Sequence, residues 1–335
     1  MQAKTWKFDG YGAVQDVLHC TTETLEAPGA GQALVRLNAI GMNRSDFNYV
    51  QGKYLPAREF PSALGQEAVG EIVSLGESNP SDGDTRFKVG DRVAVTPGKI
   101  DMCATGAYRD LGVYAQSALI PIPQGFDDSE GAAFWMAFLT AAGCLHTAGI
   151  TPATAAGKTL LVTAASSSVG VMALKIARLW GAQTLATTRA SEKREALEQF
   201  ADEVLICGNA EDLSRQLKEG RSFDVAIDPV GGDFIDAMIS GAASSAVIVS
   251  YEMIAGGRAE YSIGQVLVKN ITIKGFALFN IFPQAGLCEH LVDLGLEYSA
   301  DLVPVIASSF SLDDAPAALV ELGESRHIGK FILLP

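Results

Sequence analysis

Between Leu161 and Gly170 the chain reads LVTAASSSVG, and VMALKIARLWG follows at once. An apolar run that breaks into small residues ahead of a helical pattern leaves backbone N–H groups free at the helix start. They lie along the positive end of the helix dipole, where a phosphate group can be held. Ser166, Ser167 and Ser168 stand where a glycine-rich turn is expected. They are small enough for moderately close approach, and their hydroxyls add hydrogen bonds; alternatively, Ser166 only caps the helix. Gly170 is retained at the position that packs the helix onto a sheet. At the end of the next apolar run, ATTRASEKR clusters Thr188, Arg189, Ser191 and Lys193. A carboxylate there would bind a ribose 2′-hydroxyl, whereas an arginine among hydroxyls suits a 2′-phosphate through charge-assisted bonds. Alternatively, Arg189 and Lys193 are a solvated helix start, but cations at a helix N-terminus oppose the dipole and call for a reason. These residues predict NADPH rather than NADH.

Other reactive side chains form no constellation. His19, His146, His290 and His327 lack metal-ligand spacing, and no Ser-His-Asp set or carboxylate pair appears at a recognisable motif. The five cysteines are dispersed without a CxxC pair, which predicts reduced thiols and a cytoplasmic setting. With 25 basic and 39 acidic side chains the formal charge is −14, which disfavours nucleic acid and anionic membrane as partners. An anionic ligand must then be met by a local group of cations.

The elements that position these residues follow from periodicity. The 335 residues suffice for two domains, and 48% apolar with 19% charged residues is an ordinary globular balance. The first ~125 residues alternate apolar and polar positions between Gly, Pro and Asp, as in QALVRLNAIGMN, GQEAVGEIVSLG and DRVAVTPG, and predict a β-rich domain. From about Ser129 strand-like runs such as TLLVTAA, QTLATT, EVLIC, FDVAIDPV, AVIVSYE and ITIKGFAL mostly alternate with helical segments. That order predicts an α/β, doubly wound parallel sheet. Gly131–Gly157 carries no charged residue, yet its His, Thr, Gly and Pro content favours a helix buried between domains over a membrane span. The start, MQAKTWKFDGYG, lacks an apolar signal core. The closing HIGKFILLP predicts a strand that rejoins the first domain.

IGMNRSDFNYVQGKY followed by PSALGQEAVGEIVSLG resembles the zinc-independent branch of the medium-chain dehydrogenase/reductases, which holds quinone oxidoreductases and 2-enoyl thioester reductases. The resemblance covers essentially the whole chain. It implies a GroES-like catalytic domain at 1–126, a Rossmann NADPH-binding domain at 127–280, and a return segment at 281–335. Zinc members carry Cys in the first motif and Gly-His-Glu in the second; here Asn43 and Gln66 stand there, and neither replaces a thiolate or an imidazole. The four-cysteine structural zinc lobe is missing as well. The resemblance assigns Ser167, Ser168, Val169 and Gly170 to the phosphate loop, and Arg189 and Ser191, with Thr188 and Lys193 beside them, to the 2′-phosphate pocket. Ser250, Tyr251 and Met253 of SYEM, Phe276 and Leu278 of GFAL, Thr140 of FLTAAG and Lys330 of IGKFIL fall where the family meets the nicotinamide half. Tyr54, with Asn43, is the candidate catalytic residue: in enoyl reductases a tyrosine at this spacing is a proposed proton donor. Two positions depart from the pattern: Ala137 replaces an asparagine three residues before the threonine, and serines replace loop glycines.

The expected activity is NADPH-dependent, zinc-independent hydride delivery to a quinone or an α,β-unsaturated carbonyl compound. The alternatives are a trans-2-enoyl thioester reductase acting on acyl carrier protein or CoA substrates, and a nucleotide-binding sensor or structural protein without turnover. A homodimer joined through the edge strand ITIKGFAL is the assembly that the family implies.

Overall fold

A computed structural model describes residues 1–77 and 86–335. The chain divides into two compact units, 1–136 with 303–335, and 137–302. The first unit begins with β1 (Gln2–Phe8), α1 (Val14–Val17), β2 (Leu18–Thr24), β3 (Gln32–Gly41), α2 (Arg44–Val50), β4 (Ser62–Ala63) and β5 (Ala68–Leu75). It continues with β6 (Arg92–Val95), β7 (Leu111–Ala115) and β8 (Leu119–Pro121), then enters α3 (Asp128–Thr147). The second unit holds β9 (Thr159–Val162), α4 (Ser168–Leu179), β10 (Gln183–Thr188), α5 (Arg194–Glu198), β11 (Glu203–Ile206), α6 (Ala210–Lys218) and β12 (Phe223–Asp228). It ends with α7 (Phe234–Gly241), β13 (Ala242–Ser250), α8 (Ile263–Lys269), β14 (Thr272–Gly275) and α9 (Leu287–Tyr298). The chain then returns to the first unit through β15 (Ile306–Ser311), α10 (Ala315–Glu324) and β16 (Lys330–Leu334).

In the first unit β15, β16, β3, β5, β6 and β8 lie side by side, with β7 also on β3, while β2, β1 and β4 form a smaller sheet. β3 is the hub. Its early residues pair with both β5 and β7, and its last two, Ile40 and Gly41, pair with Leu333 and Ile332 of β16. The HIGKFILLP tail thus rejoins the β-rich unit, as the sequence predicts. The main core is an apolar cluster that includes Phe8, Val35, Ile40, Tyr49, Tyr108, Leu319 and Phe331, with a smaller one around Ala3, Leu34 and Leu111.

The second unit is a six-stranded sheet in the order β11-β10-β9-β12-β13-β14, parallel throughout. Successive strands step outward from β9 on one side and from β12 on the other. The C-terminal ends of β9 and β12 therefore flank the crevice where such sheets take their ligands. The uncharged stretch predicted as a buried helix falls largely in α3, whose residues from Ala132 to Leu145 are almost all buried. Among the described residues no helix is long and apolar enough to cross a membrane. The run SEKREALEQF, expected as one helix, is instead a short 3-10 turn, Ser191–Lys193, followed by α5.

Candidate functional site

β9 ends at Val162, and the chain turns through Ala164 in a left-handed conformation (φ 45°) before the serines. A residue with a Cβ carries strain there, of order 1–2 kcal/mol. Ala165 N–H donates to Thr187 O at 3.0 Å, which ties the loop to β10. The helix cap is Ser167, not Ser166: Ser167 Oγ accepts the Gly170 N–H at 3.0 Å. Gly170 cannot carry a side chain, because a Cβ would lie 2.7 Å from Ala165 O and 2.8 Å from Ala165 Cα. The glycine predicted for close packing is therefore required by the backbone of the loop itself.

Ser166 has a different partner. Lys193 Nζ donates to Ser166 Oγ at 3.1 Å, so the second half of ATTRASEKR folds back onto the loop between β9 and α4. Lys193 is buried, and both this burial and the nearby Arg189 guanidinium lower its ammonium pKa. Arg189 and Ser191 are exposed, and Arg189 has no ion-pair partner among the described residues. Thr188 Oγ1 accepts the Ala190 N–H at 3.2 Å and shapes this turn. The result is a serine hydroxyl and two cations gathered beside a helix N-terminus, with no carboxylate paired to Arg189.

On the other side of the crevice, Asp228 at the end of β12 is fully buried. Its carboxylate accepts the Thr163 hydroxyl, the Val230 N–H at 3.1 Å and the Gly231 N–H at 2.8 Å. Burial pushes its pKa up against those bonds. Asp228 O also accepts the Tyr251 N–H at 3.0 Å, and the Tyr251 hydroxyl faces the Ser167 side chain. Tyr251 thus lies against the loop between β9 and α4. The Ser250 hydroxyl turns onto Glu252 O at 3.2 Å, and Met253 is exposed. Phe276 is buried against α3, where a Cβ at Gly143 would lie 2.4 Å from its ring. Leu278 and Val169 are half-buried, and Thr140 is buried on α3. Ser168 begins α4.

The first unit builds a second polar group at the end of β3. Lys330 and Glu67 are each 2% exposed and form an ion pair. Lys330 Nζ also donates to Asn43 Oδ1 at 2.5 Å, while Asn43 Nδ2 donates to Glu67 Oε1 at 3.1 Å and Gly41 O at 3.3 Å. Glu67 Oε2 accepts the Met136 N–H at 2.9 Å. Next to them Asp46, fully buried, accepts the Asn43 N–H at 2.9 Å, Gln66 Nε2 at 3.2 Å and the Tyr108 hydroxyl at 3.3 Å. Burial pushes the Asp46 carboxyl up to about 6. Tyr54 is half-buried in the loop after α2 and packs against the apolar core of this unit.

Comparison with known proteins agrees with this architecture. Residues 29–126 match the alcohol dehydrogenase GroES-like domain, and residues 168–292 match the zinc-binding dehydrogenase domain. A quinone oxidoreductase of Pseudomonas aeruginosa is 31% identical over 341 residues, covering 99% of this chain and all of that one. The chain belongs to the quinone oxidoreductase branch of the medium-chain dehydrogenase/reductases. The crystal structure of a Pseudomonas syringae quinone oxidoreductase superposes with a TM-score of 0.85 at 28% identity, over 99% of this chain and all of that one. An acryloyl-coenzyme A reductase of Sulfurisphaera tokodaii is 26% identical over 92% of this chain and 93% of that one. The chain is therefore an oxidoreductase of a family that binds a nicotinamide cofactor.

Zinc, which one matched domain carries in its name, does not fit the residues present. Gln66 turns its amide N–H groups toward Ser45 Oγ, at 2.5 Å, and Asp46. Asn43 Oδ1 is taken by an ammonium. A metal ion would need lone pairs where this chain presents donors and a cation. Among the described residues no group of three His, Cys, Asp or Glu side chains could hold a metal ion. The nicotinamide cofactor does fit, since α4 presents a capped N-terminus behind a loop of small residues. Two contributors escaped the sequence reading. Asp228 carried a signal in DPVGG, an acidic residue closing a strand before a tight turn; Glu67 lay inside the quoted GQE with no role assigned.

Proposed function

We propose that this protein is an NADPH-dependent, metal-independent reductase of quinones or α,β-unsaturated carbonyl compounds. The observation that carries the cofactor choice is the contact of Lys193 with Ser166 beside an exposed Arg189. Two cations and a hydroxyl beside the end of β10 suit a 2′-phosphate, and among the described residues no carboxylate is ion-paired with Arg189. Backbone N–H groups at the start of α4, with Ser167 and Ser168, hold the pyrophosphate. Tyr251, Thr140 and the Ser250–Met253 and Gly275–Leu278 segments border the nicotinamide half.

Bound NADPH supplies the hydride. The protein's own task is to hold an acceptor whose carbonyl already activates the carbon that is reduced, and to provide donors for the oxyanion that develops. Tyr54 is the residue proposed to donate a proton to the resulting enolate, since a phenol stays protonated at neutral pH. Asn43 acts by holding its neighbours in place, because its amide is fully engaged with Lys330, Glu67 and Gly41.

The deciding experiment is NADPH consumption across quinones, enones and enoyl thioesters, with NADH in parallel and products identified. Reduction of quinones or enones supports the proposal. A strong preference for acyl thioesters, the substrate class in the name of the Sulfurisphaera relative, would move the assignment to enoyl thioester reduction. Tight NADPH binding without turnover on any class would make the chain a nucleotide-binding protein. Preference for NADH would overturn the cofactor assignment.

A further inference from the structure

We infer that Lys330 is an internal cation: it neutralises Glu67 and, through Asn43, locks the turn between β3 and α2, supplying the positive charge that a metal ion would otherwise have to bring.

The position of Lys330 in the fold makes this inference specific. Lys330 opens β16, the strand that returns from the far end of the chain to pair with the last residues of β3. Its backbone is fixed, with Lys330 N–H donating to Val305 O at 2.8 Å and Met42 N–H donating to Phe331 O at 3.0 Å. The ammonium therefore enters at the point where β3 ends and α2 has yet to begin. There it meets Asn43 Oδ1 and the Glu67 carboxylate, both inside the unit. A carboxylate so far from water is tolerated only when it is paired and hydrogen-bonded. Glu67 meets both conditions: its two oxygens accept from Lys330, Asn43 and the Met136 N–H.

Backbone space is reserved for the pair. A Cβ at Gly41 would lie 2.7 Å from Glu67 Oε1 and 2.2 Å from Ala132 O, so only glycine lets the carboxylate and α3 approach β3 together. Four segments distant in sequence thus meet on the Lys330–Glu67 pair: the end of β3, the residue before β5, the middle of α3 and the start of β16. Asn43 is the link. Its amide oxygen faces the cation and its amide nitrogen faces the anion, so it can be turned only one way. A hard charge at this place is compensated from within the chain, and a metal ion would find its positive charge already present.

A double-mutant cycle on the full chain tests the assignment, read by urea unfolding and, separately, by NADPH binding through nicotinamide fluorescence. Lys330→Met and Glu67→Gln each strand one buried charge, and each should lower the unfolding midpoint by about 1 M or more. The double variant, Lys330→Met with Glu67→Gln, removes both charges and should recover more than half of the larger single loss. Should a single variant fail to fold while the double folds, that is the same rescue in stronger form. Losses that simply add in the double variant, or a double that does not fold, would overturn the pairing. Lys330→Met with an unchanged midpoint and a tenfold or greater loss of NADPH affinity would make Lys330 a nucleotide contact instead. The unfolding arm does not depend on the proposed cofactor or substrate, so its failure and theirs are separable.

Discussion

At the scale of single residues, charge decides roles. Arg189 stands exposed beside Lys193, whose own ammonium is turned to Ser166. Arg189→Ala is expected to weaken NADPH binding by about 1.5–3 kcal/mol, the worth of a charged hydrogen bond, and to leave NADH nearly unchanged. Titration of both nucleotides against wild type and variant checks this; equal losses would make Arg189 structural. Tyr54 offers a test by removal of a single oxygen. Tyr54→Phe should lower kcat on an enone by ~10²–10⁴, the usual contribution of a general acid. Quinone reduction should fall much less, because the anion it forms is stabilised and water can protonate it. Steady-state rates on one substrate of each kind separate the outcomes, and full enone activity in the variant would reduce Tyr54 to packing.

Among elements, the turn that launches α2 concentrates the titratable groups. Asp46 caps it by accepting the Asn43 N–H, with Gln66 and Tyr108 donating to the same carboxylate and with Lys330 and Glu67 close by. Its folded-state pKa of about 6 lies above the ordinary 3.8. The folded state therefore holds this proton more tightly than the unfolded chain. Its favourable effect is complete below about pH 4 and is lost as pH rises through 6, a cost of ~3 kcal/mol at neutral pH. Asp46→Asn carries no such term. The stability of wild type relative to that variant should thus fall by ~2.5 kcal/mol between pH 4 and pH 7, measured by urea unfolding in matched buffers. A constant difference across that range would show that Asp46 ionises normally. The neighbouring amides also bear on metal dependence: with Asn43 and Gln66 committed to protein partners, activity should survive prolonged dialysis against a strong chelator. Elemental analysis that finds one tightly held zinc per chain would overturn that expectation.

On the scale of the whole molecule, the second unit leaves one edge of its sheet open. All four residues of β14 are exposed, and α8 beside it presents Leu267 at 75% and Val268 at 87% exposure, with Ile263 and Tyr261 nearby. An edge strand with unpaired backbone groups and apolar neighbours is a template for pairing. A second copy meeting it across a two-fold axis would pair β14 with β14, as the family resemblance implies. Light scattering should then report a dimer, and Val268→Asp with Ile273→Lys should yield a folded monomer. A wild-type monomer at micromolar concentration would rule this interface out.

The sequence by itself determined the α/β class, the alternation of strands and helices, the return of the C-terminal strand and the turn of small residues between β9 and α4. These properties rest on local periodicity and turn chemistry, and both are written in neighbouring residues. The serine that caps α4 and the glycine packed against the turn lie within that same short stretch. Only the tertiary structure decided which side chains answer one another across the sequence. Ser166 was a candidate cap until Lys193 folded onto it and Ser167 took the cap. Asp228 became the hub of the crevice because β9 and β12 are neighbours in the sheet although 65 residues separate Thr163 from its carboxylate. The resemblance puts Lys330 near the nicotinamide end; what it could not show is that the ammonium lies beside Asn43, 287 residues away, because β16 pairs with β3. A buried charge must find its counter-charge wherever the fold brings one, and that distance is invisible to any local pattern.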